Sequence, residues 1–93
     1  MIMDSDTVTD LLIQYIQQHR KLLPFTLNSY LKEGNNMVYR YIIIDYNSNK
    51  IEVKVYNPNF IVFKVNNHPK SISTDLKQAR NIIDSIFGMA HNS

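Results

Sequence analysis

Val8, Leu11, Leu12, Tyr15, Ile16, His19, Leu22 and Leu23 recur at the i, i+3, i+4, i+7 spacing of an amphipathic helix. Gln14, Gln17, Gln18 and Lys21 occupy the opposite face, and Pro24 stops the pattern. The spacing predicts a helix over about residues 5–23, with Thr7 and Asp10 as a capping pair at its start. Residues 25–31 read two ways. They alternate as a short strand, while Leu27, Tyr30 and Leu31 also fit a helix; the strand is the favoured reading. Three segments rich in β-branched and aromatic residues follow, predicting strands over about 37–46, 51–56 and 60–65. Residues 66–72 read as a loop. Leu76, Ala79, Ile82, Ile83, Ile86 and Phe87 then predict a second helix over 74–87, capped by Ser73 or Thr74 and ended by a left-handed Gly88, with fraying beyond Met89.

The order is helix, optional strand, three strands, helix, in one domain spanning residues 1–93. Short turns between adjacent strands imply an antiparallel meander. The expected fold is α+β and two-layer, with three or four strands and the N- and C-terminal helices packed on one sheet face.

Register follows from the turns. A turn at Asn47–Lys50 would set Tyr46 opposite Ile51. A three-residue loop, Asn57-Pro58-Asn59, would set Tyr56 opposite Phe60, with Asn59 left-handed. One face is then apolar: Val38, Ile42, Ile44, Ile51, Val53, Val55, Ile61, Phe63 and Val65. The other carries Tyr39, Tyr41, Ile43, Asp45, Glu52, Lys54, Tyr56, Phe60, Val62 and Lys64. On it Tyr41, Tyr56 and Phe60 lie side by side, Lys54 and Lys64 flank them, and Glu52 stands opposite Lys64. Segment 25–31, a helix or a second copy of the chain could cover this face. Left open, it suits a protein interface of aromatic anchors and a charged rim, or a surface that stacks bases and attracts phosphate.

Composition narrows the chemistry. A chain of 93 residues buries roughly 60–65% of its unfolded surface. It has no cysteine, which excludes disulfides, thiol nucleophiles and Cys-based zinc sites, and fits a reducing compartment. No apolar run approaches the ~20 residues of a membrane span. The acidic start, Met1-Ile2-Met3-Asp4-Ser5-Asp6, lacks the basic-then-apolar order of a secretory signal, so a cytoplasmic setting is expected. The net charge is +2, but between Leu11 and Arg80 ten basic residues face four acidic ones. That bias permits nucleic acid or an acidic protein surface as partner.

His19, His68 and His91 have no second ligand at metal spacing, so no metal or cofactor is expected. Ser71 and Ser73 are explained by capping, and Gly34 and Gly88 cannot form a phosphate-cradling loop. Asp45 opposite Glu52 is the one carboxylate pair in the sheet that could share a proton. Lys70, Ser73, Lys77 and Arg80 gather near the start of the second helix, where anions bind. This cluster and the element order are similar to those of double-stranded-RNA-binding domains, although that family's lysine-rich run and Gly-Pro-x-His turn have no counterpart here. The leading expectation is a small non-enzymatic interaction module, a regulator, adaptor or inhibitor, that binds a protein partner or itself through Tyr39, Tyr41, Lys54, Tyr56, Phe60 and Lys64. The alternative is a nucleic-acid-binding module using Lys54, Lys64, Lys70 and Lys77. Abundant Asn, Ile and Tyr suggest an A·T-rich coding source, compatible with a virus or mobile element.

Overall fold

Three tight turns built from asparagine and serine organise the chain. Asn35-Asn36, Asn47-Ser48 and Asn66-Asn67 all take positive φ, between 49° and 68°. Two consecutive left-handed residues make the type I′ turn, whose twist matches that of paired strands. Asparagine tolerates this conformation better than other side-chain-bearing residues. A computed structural model of the chain describes residues 4–18 and 24–91. In it these turns, with Pro58-Asn59, link five antiparallel strands. The strands are β1 (Phe25–Gly34), β2 (Met37–Tyr46), β3 (Asn49–Asn57), β4 (Phe60–Val65) and β5 (His68–Ser73), and their order in the sheet is their order in the chain. Helix α1 (Ser5–Gln17) precedes the sheet and α2 (Leu76–His91) follows it.

The α+β architecture and the two terminal helices match expectation, with five strands instead of three or four. Segment 25–31 is a strand, and longer than read. Residues 68–73 form a strand where a loop was expected. Five strands between the helices also depart from the three of double-stranded-RNA-binding domains.

The β2–β3 register differs by two residues from expectation. The turn has two residues, so Tyr46 pairs with Asn49 and Ile44 with Ile51. A shift of two leaves every side chain on its face. Asp45 consequently faces Lys50, and Ile43 faces Glu52, so the carboxylate pair does not exist. Between β3 and β4 the expected pairs Val55–Ile61, Val53–Phe63 and Ile51–Val65 are all present. The means is different. Asn57, not Tyr56, pairs with Phe60, and Tyr56 is the extra residue of a bulge. Asn59 is not left-handed. Its N–H donates to the Asn57 side chain at 2.8 Å, which shapes the turn instead.

Both helices lie on one face. Val8, Leu12 and Ile16 of α1, and Ala79, Ile83, Ile86 and Phe87 of α2, close over Ile42, Ile44, Val53, Val55, Ile61 and Phe63. The caps differ from those expected. The Asp4 carboxylate, not Thr7, accepts from the Thr7 N–H at 2.8 Å. That bond holds its pKa below the ordinary value. At α2, Asp75 accepts from the Gln78 N–H at 2.7 Å, and the Gln78 side chain accepts from the Thr74 N–H at 2.8 Å. Gly88 lies inside α2, with ordinary helical φ, and the helix continues to His91. The last turn is tied down by Asn47, whose amide donates to the Ala90 carbonyl at 2.7 Å, and by Tyr46, whose hydroxyl is 2.9 Å from His91 Nδ1. The expected helix over 19–23, with His19, lies outside the described residues.

Candidate functional site

Because both helices occupy one side, the other side of β2, β3 and β4 carries no covering element among the described residues. Its aromatic residues form two groups. Tyr39, Tyr56 and Phe60 make a row, with ring centroids 4.9 Å apart for Tyr39–Tyr56 and 5.1 Å for Tyr56–Phe60, the latter stacked at 27°. Tyr56 stays in this row although the bulge takes it out of the pairing opposite Phe60 that a regular ladder would give. Tyr30 and Tyr41 form the second group, edge to face at 5.3 Å. Lysines lie over both. Lys54 Nζ is 5.9 Å from the Tyr39 ring and Lys32 Nζ is 4.5 Å from the Tyr41 ring.

The expected contact residues therefore separate into roles. Phe60 is exposed, and Tyr39, Tyr56, Lys54 and Lys64 are half-buried. Tyr41 is only 3% exposed, covered by its neighbours on the same face instead of by a helix. It supports the surface from below and is not itself available for contact. Its hydroxyl donates to Glu52 Oε2. Burial comes first, then that hydrogen bond and the carboxylate's charge, in pushing the Tyr41 phenol well above its ordinary pKa. Glu52 is the register partner of Lys64, as expected, but its hydrogen bond goes to Tyr41.

The row borders a shallow depression of about 300 Å³ whose walls include Met37, Tyr39, Lys54, Tyr56, Phe60 and Val62. Met37 and Tyr30 are exposed additions that the sequence reading missed, together with Lys32. Tyr30 and Lys32 belong to β1, which runs past the short strand expected over 25–31. The alternation of Thr26, Asn28 and Tyr30 against Phe25, Leu27 and Ser29 was the available signal.

The second candidate cluster is not assembled. Ser73 is fully buried and its Oγ has no partner among the described residues. Arg80 lies over the Tyr15 ring at 5.5 Å, directed at α1. Lys70 and Lys77 are exposed, but the N-terminus of α2 already holds the Asp75 carboxylate. Among the described residues no three His, Cys, Asp or Glu side chains gather to hold a metal, and no helix is long and apolar enough to cross a membrane. No known family model, curated protein or solved structure matches the chain.

Proposed function

We propose that this domain is a protein-interaction module, a small regulator, adaptor or inhibitor, that acts by binding. Its contact is the row Tyr39–Tyr56–Phe60, with Met37 beside it and Lys54 and Lys64 at the rim. The observation that carries this reading is the uncovered row itself, with Phe60 40% exposed at one end. Aromatic residues supply most of the energy at interface centres, while charges at the rim steer and select. The rim here is lysine-rich, so the complementary surface is acidic.

The rings pack on one another, which favours anchoring in a partner's pocket over holding separate bases. The nucleic-acid alternative also loses the helix-start cluster, since Ser73 is buried and Asp75 occupies the cap. The test compares binding of a captured partner by the wild type and by a Tyr56→Ser, Phe60→Ser double variant, after nuclease treatment. Loss of such anchors costs about 2 kcal/mol or more, which is ~30-fold in Kd. A partner held equally by a correctly folded double variant overturns the reading. So does binding that nuclease abolishes.

A further inference from the structure

The two edges of the sheet are unlike. β5 is short and carries Pro69, and its pairing with β4 is interrupted between Phe63 and Lys64, where Lys70 is the extra residue. Proline, a bulge and lysine are the devices that close an edge to further strands. β1 is ten residues long, has no proline and pairs with β2 without a bulge. Among the described residues it is paired on one side only. Among the described residues no element covers its distal half on either face, and Tyr30 is 45% and Leu31 63% exposed. The two-residue turn at Asn35-Asn36 makes Gly34–Met37 a hydrogen-bonded pair. Alternation then directs the backbone N–H and C=O of Ser29, Leu31 and Glu33 outward.

We propose that β1 pairs antiparallel with β1 of a second copy, about a two-fold axis through Leu31 and perpendicular to the sheet. That register joins the outward-directed groups to one another. Leu31 meets Leu31 on the helix side, and each Tyr30 meets Lys32 of the other copy on the open side. Each Glu33 stands opposite Ser29, whose hydroxyl is 3.4 Å from Arg40 Nη2. The Glu33 carboxylate thereby approaches a guanidinium whose Nη1 is paired with Asp6 at 2.8 Å and whose Nε, among the described residues, is buried without a partner. Neighbouring registers are worse. An axis at Lys32 opposes two lysines, and one at Glu33 opposes two glutamates. An axis at Tyr30 sets Glu33 against Leu27. Among axes at residues 30 to 33, the charges of β1 thus favour the one at Leu31 for pairing two copies of this chain.

The axis keeps faces alike, so the paired sheets present both Tyr39–Tyr56–Phe60 rows on one side. The pairing does not depend on what those rows bind.

Sedimentation velocity from about 1 µM to about 1 mM tests the association. The wild type is expected to pass from monomer to dimer. Leu31→Lys, at an exposed position, stays monomeric with an unchanged circular-dichroism spectrum and melting temperature. The chain has no cysteine, so Leu31→Cys reports the register. Cα atoms of a hydrogen-bonded antiparallel pair lie about 5.5 Å apart, within the span of a disulfide. Leu31→Cys is expected to oxidise to a cross-linked dimer, and Thr26→Cys, on the same strand, is not. A wild type that remains monomeric throughout overturns the proposal. So does a Leu31→Lys variant that dimerises like wild type, or cross-linking through Thr26→Cys as complete as through Leu31→Cys.

Discussion

Glu52 is 7% exposed although its strand position faces away from the helices. Tyr41 stands opposite Lys54, so Glu52 is its diagonal neighbour, within reach of a long side chain. Register alone gave Glu52 to Lys64, and only side-chain reach gives it to Tyr41. This is why the sequence showed the pair's place and not its bonding. Among the described residues Glu52 Oε1 is buried without a partner, and Tyr41 is the one donor to this carboxylate. Tyr41→Phe is expected to destabilise the fold at neutral pH by about 1–3 kcal/mol, the range for stranding a buried acceptor. The raised phenol pKa adds a pH signature. Folding favours the protonated phenol, so its contribution is fully present below the unfolded value of about 10 and is lost as pH rises through the folded value. In a spectrophotometric titration Tyr41 should ionise last, together with unfolding. Tyr41→Phe should remove that final phenol and flatten the decline of stability at high pH. An unaltered alkaline profile in the variant would show that Tyr41 titrates normally.

At the scale of elements, the helices and three central strands were legible because their apolar periods are long and regular. β5 was not. His68-Pro69-Lys70-Ser71-Ile72-Ser73 is polar and contains proline, both of which argue against a central strand, yet an edge strand accepts them. The neglected signal was Asn66-Asn67, the same turn chemistry as Asn35-Asn36. Helix α2 failed in the opposite direction. Gly88 read as a terminator, whereas Ala90 beyond it is buried and its carbonyl is held by Asn47. Tertiary contacts carry the helix past a residue of poor propensity. A Cβ at Gly88 would meet nothing within 4 Å. Gly88→Ala should therefore stabilise the protein by about 0.5–1 kcal/mol, read as a melting temperature higher by several degrees. A lower melting temperature would mean that position 88 needs the conformations that only glycine reaches.

For the whole molecule, the division into a helix-covered face and an open face survived an error in turn length, because the β2–β3 error was two residues and the bulge at Tyr56 restored the β3–β4 register. The open edge was not legible, since an edge exists only once the strand order is known. Its consequence can be read amide by amide. In the monomer the N–H groups of Tyr30 and Lys32 bond to β2, while those of Ser29, Leu31 and Glu33 have no strand beside them among the described residues. Ile42, Val53 and Phe63, paired in sequence across the buried centre, should exchange slowest at any concentration. At low protein concentration hydrogen exchange should alternate along β1, fast at 29, 31 and 33 and slower at 30 and 32. Raising the concentration should slow 29, 31 and 33 selectively, because pairing of two edges engages those groups and no others on the strand's distal half. Uniform slowing of the whole hairpin would point to general crowding of the molecules, and no slowing at all would leave β1 an unpaired edge.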